Sequence, residues 1–201
     1  EAEKSQELHT KHKRKIKHNY NDKINVTVNF NDLIEDAAID AIVVATPPAL
    51  HANLSIQAMS CGKHVFVEKP MALKVCDARN MIKAARKSKK ILMVGHLLLY
   101  HPAIQRLKDE IKNGVLGDVQ YIYSARVNLG QVRSEENALW SLTPHDISVA
   151  MYLTGKNPRK VSATGRSYIR KGIHDVVFVT LDFEDDILAH IHASWLDPHK
   201  M

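Results

Sequence analysis

Two cysteines among 201 residues are too few for a disulfide scaffold, and Cys61 and Cys76 form no Cys-x-x-Cys pair. Both read as small buried thiols of a reducing cytoplasm. Eight glycines exclude a collagen-type chain, and no two of them are spaced Gly-x-Gly, so the phosphate-cradling turn of a dinucleotide fold is not in the sequence. No apolar run is long enough for a membrane-spanning helix. The longest candidate, Ile91 to Tyr100, is interrupted by Gly95 and His96. No apolar stretch of a secretory signal follows Glu1. These absences point to a cytoplasmic protein with no membrane partner.

What is present is the balance of a soluble globular chain, 45% apolar and 25% charged. The formal net charge is +6, and its excess gathers in Lys11-His12-Lys13-Arg14-Lys15-Ile16-Lys17-His18. Such a run can bind phosphate backbones. Without zinc-finger spacing or an aromatic platform it reads as a solvated helix end, so no nucleic-acid partner and no metal are expected.

The first half alternates strand and helix. Asp40–Thr46 is a short β-branched run with the pattern of a buried parallel strand, stopped by Pro47-Pro48. Leu50–Cys61 is helical in pattern, with Leu54, Ala58 and Cys61 on one side and Gly62 past its end. His64–Val67 is the next strand. Val75–Ser88 carries Val75, Ala78, Ile82 and Ala85 as one helical stripe, and Ile91–Val94 is another strand. Upstream, residues 31–35 read as a short helix capped by Asn31 or Asp32.

The second half changes character. Pro102–Asn113 is a helix with Ile104, Leu107 and Ile111 inward, and Pro144–Leu153 is a short helix closed by Gly155. Val119–Asn128, Val161–Tyr168, Val176–Phe183 and Ile187–Trp195 read as strands, the last two joined by a turn at Glu184-Asp185-Asp186. In the third of these strands Val177, Val179 and Leu181 alternate with Phe178, Thr180 and Asp182, so one sheet face is available to a partner. The expected class is α/β, a partial Rossmann-type parallel sheet over residues 1–98 followed by an α+β domain with a mainly antiparallel sheet over 99–201.

Ligands of open α/β sheets bind beyond the carboxyl ends of the strands. Three such ends are visible: Thr46-Pro47-Pro48 with His51 just after, Glu68-Lys69-Pro70, and Gly95-His96. A strand ending in Glu-Lys-Pro sets a carboxylate beside an ammonium at the ligand edge, and the X-Pro bond can be cis. A lysine in such a crevice can exchange protons, though the same pair also occurs at ordinary surface turns.

Residues 40–73, DAIVVATPPALHANLSIQAMSCGKHVFVEKPMAL, resemble the cofactor domain of the Gfo/Idh/MocA family of NAD(P)-dependent sugar and cyclitol oxidoreductases. Strand, Thr-Pro, a following His, Gly-Lys-His and Glu-Lys-Pro occur there in this order. The resemblance covers roughly residues 24–199. It implies NAD or NADP as cofactor, held by Thr46, Pro47, His51, Glu68, Lys69 and His96, with Lys69 as the active-site lysine. The run Trp140-Ser141-Leu142-Thr143-Pro144-His145 is similar to the family's Asp-x-x-x-His motif and implies His145 as the acid/base histidine. Ser141 stands where Asp is usual. A serine cannot serve as a carboxylate, so His145 works with Lys69. The first strand, glycine turn and first helix of the family's cofactor domain are expected to precede Glu1, so that this piece alone binds the cofactor poorly.

Asn128-Leu129-Gly130 and Glu136-Asn137-Ala138-Leu139-Trp140-Ser141 are similar to the UDP-N-acetylglucosamine 3-dehydrogenase branch, which supplies lipid A biosynthesis. That resemblance implies oxidation at C3 of a nucleotide sugar, and a homo-dimer or homo-tetramer. The residue chemistry is compatible. Arg126 and Arg133 can pair with a diphosphate. Asn128 and Asn137 can bond sugar hydroxyls or an acetamide, and Trp140 offers a flat face to a ring. Each also has a structural use, as a solvated strand arginine, a turn asparagine or a core tryptophan. Another sugar or cyclitol dehydrogenase, or a non-catalytic nucleotide-sugar-binding protein, are the alternatives, the latter favoured by Ser141.

Overall fold

The computed structural model describes residues 24–129 and 136–198. The basic run 11–18 and Arg133 lie outside the described residues. The element order is α1 (Phe30–Glu35), β1 (Ala41–Val44), α2 (Pro48–Ser60), β2 (His64–Val67), α3 (Val75–Ser88), β3 (Leu92–Val94), a 3-10 turn (Leu97–Tyr100) and α4 (Pro102–Lys112). Then follow β4 (Tyr121–Val127), α5 (Ala138–Thr154), β5 (Lys160–Arg166), β6 (Val176–Asp182) and β7 (Leu188–Ser194).

The first sheet is parallel, in the order β1-β2-β3, with Val44 beside Val67 and Val67 beside Val94. Ile42, Val44, Val65 and Val67 face Ala58 and Met59 of α2 and Met81 of α3 to form one core. The expectation that β1 is apolar because both faces are buried is corrected: Val43, on the other face, is 68% exposed. The helices cover only one side among the described residues.

Further corrections concern which helical face is inward. In α3 the buried residue is Met81, while Val75 and Ile82 are exposed. Half of the predicted stripe holds: its Ala78 and Ala85 pack on the core beside Met81 and Ala84, where small side chains let the helix approach the sheet, while its Val75 and Ile82 do not. In α2, Ser55, Ala58 and Met59 are buried, and Cys61 at the helix end is exposed, as is Cys76. Neither thiol is therefore a core residue. The helix α1 begins earlier than the sequence suggests, because Asn29 is its cap, accepting from the Asn31 N–H at 3.2 Å. In α4, Leu107 is exposed, and no residue is fully buried.

The second sheet has the order β4-β7-β6-β5. β5, β6 and β7 are antiparallel neighbours, and β4 joins β7 in parallel. Asp185 and Asp186 adopt left-handed conformations at the β6–β7 turn, where the Phe183 N–H donates to the Ile187 carbonyl at 2.9 Å. Val177, Val179, Leu181, Ala189, Ile191 and Ala193 form the inner face, with Ala138 and Ala150 of α5 in the same core. The outer face carries Tyr121, Tyr123, Phe178, His190 and His192, with Phe178 stacked on His192 at a centroid separation of 4.5 Å.

The largest difference from the sequence reading is α5. It starts at Ala138, not Pro144, and Pro144 lies inside it. The Asn137 side chain caps the helix by accepting from the Trp140 N–H at 3.1 Å. The cap and the burial of Ala138 and Ser141 outweigh the one hydrogen bond that Pro144 cannot make.

Candidate active site

Three strand ends meet at the carboxyl edge of the parallel sheet. The Glu68 N–H donates to Val44 at 3.0 Å and the Gly95 N–H to Val67 at 2.8 Å, which continues both ladders past the strands. The turns of Thr46, Lys69 and His96 are thereby brought side by side. Gly95 allows the close approach. A Cβ there would stand 3.1 Å from Glu68 Oε2 and 3.1 Å from the Phe66 ring. The Lys69–Pro70 peptide is cis.

The α5 helix supplies the opposite wall. Lys69 Nζ donates to the Ser141 carbonyl at 2.7 Å. Ser141 and His145 are four residues apart and lie on one helix face, so Lys69 stands one turn from His145. The structure thus answers the missing carboxylate at position 141 with a backbone carbonyl at the same position. Burial lowers the His145 pKa to about 4, aided by the positive charge of Lys69, then Arg126 and His96, with Asp146 acting in the opposite sense. His96 is lowered by burial and by Lys69. His145 is neutral near pH 7 and able to accept a proton.

The remaining residues named from sequence sort themselves by contact. Thr46 Oγ1, His96 Nδ1 and His145 Nδ1 are buried with no hydrogen-bond partner among the described residues. Buried polar atoms are normally paired, so these three are the groups suited to a polar ligand. Pro47 precedes α2 as its cap residue. His51 is 1% exposed, and both its ring nitrogens lie against backbone carbonyls, so it backs the site rather than lining it.

Arg126 does not present a free guanidinium. Its Nε donates to Asp146 Oδ2 at 2.7 Å and Nη2 to Asp146 Oδ1 at 3.0 Å, while Ser124 Oγ donates to the same carboxylate at 2.7 Å. Asn137 is committed as the α5 cap. Asn128 is exposed at the end of β4, and its N–H donates to Ser194 at 3.0 Å. Trp140 is partly exposed on α5, with its ring outside the core. Ser124 and Asp146 were missed by the sequence reading. The available signal was the adjacency of Asp146 to His145.

Comparison with known proteins gives consistent matches. A family model described as an oxidoreductase family with an NAD-binding Rossmann fold matches residues 2–96, and one described as the GFO/IDH/MocA C-terminal domain matches residues 104–201. The chain is 30% identical over 178 residues to an uncharacterized oxidoreductase of Streptococcus pneumoniae serotype 4, covering 82% of this chain and 48% of that protein. It is 29% identical over 174 residues to myo-inositol 2-dehydrogenase of Thermotoga maritima, covering 82% and 52%. The solved UDP-N-acetylglucosamine 3-dehydrogenase from Acidithiobacillus ferrooxidans superposes with a TM-score of 0.78 at 26% identity, over 88% of this chain and 54% of that one. The chain spans about half the length of the curated relatives it matches.

Proposed function

This chain belongs to the Gfo/Idh/MocA oxidoreductase family, and from that premise we propose that it is part of an NAD(P)-dependent enzyme that oxidises a ring hydroxyl of a sugar or cyclitol. Within that class we propose C3 of UDP-N-acetylglucosamine as the reacting position. The likeness to the Acidithiobacillus enzyme supports this finer reading, and the similar identity to a myo-inositol 2-dehydrogenase supports the wider class. The observation that carries the reading is the meeting of Lys69, from the parallel sheet, with a neutral His145 on α5.

A bound nicotinamide cofactor would supply the hydride acceptor for the substrate carbon. Thr46, Glu68 and His96 are the residues suited to hold it, because two of them carry unpartnered buried polar atoms at the sheet edge. His145 takes the proton of the reacting hydroxyl. Lys69 Nζ donates to the same oxygen and stabilises the negative charge that develops on it. The site departs from the notion of Arg126 as a diphosphate clamp, since that guanidinium neutralises Asp146. A diphosphate would have to be met elsewhere, and Arg133 is the remaining candidate named from sequence. Asn128 and Trp140, both at least partly exposed, remain the proposed substrate contacts.

The test is reduction of NAD and NADP by the full-length protein that contains this chain, with UDP-N-acetylglucosamine, myo-inositol and related sugars. Reduction is expected in the wild type. Lys69→Ala should lower kcat by at least about a hundredfold while dinucleotide binding is retained. Binding of the nucleotide sugar with no reduction of either dinucleotide would favour the non-catalytic alternative, which Ser141 supports. We further propose a homo-dimer or homo-tetramer as the working state.

A further inference from the structure

His51 is the feature the catalytic reading leaves unexplained. It lies in the first turns of α2, 1% exposed, between two loops that belong to different strands. Its Nε2 is 2.8 Å from the Thr46 carbonyl, just past β1. Its Nδ1 is 2.9 Å from the Pro70 carbonyl, one residue beyond Lys69. A carbonyl oxygen only accepts, and a neutral imidazole has a single N–H. With a neutral ring, one of the two contacts would set a nitrogen lone pair against an oxygen lone pair in a place closed to water. A ring that donates from both nitrogens satisfies both carbonyls, and the charge-assisted bonds offset the cost of burying it.

We propose that His51 is a positioning residue for Lys69: a doubly donating imidazolium that ties the Thr46 turn to the Lys69–Pro70 turn and so fixes where the lysine ammonium stands. The function rests on the reading of Lys69 as the lysine that stabilises the reacting oxygen; the double donation does not. The ring makes one rigid unit of the turn that offers Thr46 Oγ1 to the cofactor and the turn that offers Lys69 to the hydroxyl. The hydride leaves the carbinol carbon and the proton leaves the oxygen bonded to it, so the two turns must keep a common frame. A displacement of about 1 Å between such groups can lower the rate by about a hundredfold.

Two measurements on the full protein decide it. In protein labelled with 15N in histidine, the ring signals of His51, assigned by their loss in His51→Asn, are expected to show two protonated nitrogens at neutral pH. An unprotonated nitrogen in that ring overturns the double donation. In His51→Asn and His51→Ala, kcat per folded molecule should fall about a hundredfold while KM for the dinucleotide changes by less than about threefold. An unchanged kcat in either folded variant overturns the positioning role. If both variants fail to fold, the ring signals of the wild type, assigned instead by through-bond correlation of the His51 ring to its own sequentially assigned backbone, still decide whether the double donation exists. If the wild type oxidises no hydroxyl substrate, the proposed function fails on that result, and the ring signals independently confirm or overturn the double donation by His51.

Discussion

Burial and the surrounding charges of Lys69, Arg126 and His96 hold His145 at a pKa of about 4, against an ordinary value of 6.5. This single shift has two consequences of opposite use. For catalysis, the base stays neutral well below neutrality, so kcat/KM should keep its acid limb near pH 4 and not near 6.5, which a pH–rate profile checks. For stability, the unfolded chain binds a proton at His145 between pH 6.5 and 4 that the folded chain refuses. Stability therefore rises with pH through that window and is lost as the solution is acidified, by at most about 3 kcal/mol. Chemical denaturation at pH 7 and pH 4.5, compared between wild type and His145→Gln, reads this difference. Beside it, Asp146 has a nearly buried carboxylate that receives three hydrogen bonds from Arg126 and Ser124. Asp146→Ala leaves those donors without their acceptor. Because the Arg126 side chain keeps 33% of its exposure, the expected loss lies at about 2–3 kcal/mol, below the cost of a fully buried broken pair. The candidate residues Lys69 and His145 were legible in the sequence because their motifs are local. The commitments of Arg126 and His51 were not, because each depends on a partner from another element.

Among the elements, the strands and helices of the parallel half follow from short-range pattern. β2 and α3 lie at the positions the alternation and the stripe predict. The α5 helix does not, because Pro144 reads as a helix start when only neighbours are considered. The real start lies six residues earlier, at Ala138, set by the Asn137 cap and the buried first turn. That difference matters to the site. If the helix began at Pro144, Ser141 would sit in a loop. Because it is helical, its carbonyl lies one turn from His145 and receives Lys69. Asn137→Ala removes the cap and should lower stability by about 1 kcal/mol, seen as a lower denaturation midpoint with an unchanged slope. Its effect on turnover should exceed that of an equally destabilising change in α4, because α5 carries His145.

Over the molecule as a whole, the second sheet buries one face against α5 and leaves the other bearing Tyr121, Tyr123, Phe178, His190 and His192. The alternation in β6 announces such a two-sided strand, and the parallel partnering of β4 with β7 adds the tyrosines to its outer side. If this face meets a second copy, Tyr123→Lys combined with Phe178→Lys should reduce the mass measured by light scattering toward that of one chain, with the fold retained by circular dichroism. Among the described residues, no helix is long and apolar enough to cross a membrane. Hydrophobic period and turn chemistry act over a few residues. The fold class, the strand ends that meet at one sheet edge, and the Glu-Lys-Pro and His145 motifs were for that reason readable from the chain before it folds. Three pairings exist only in the folded molecule: Lys69 with the Ser141 carbonyl, Arg126 with Asp146, and His51 with the carbonyls of two turns. Most of these partners lie far apart in the chain, and burial of polar groups forces each to find whichever partner the fold brings near.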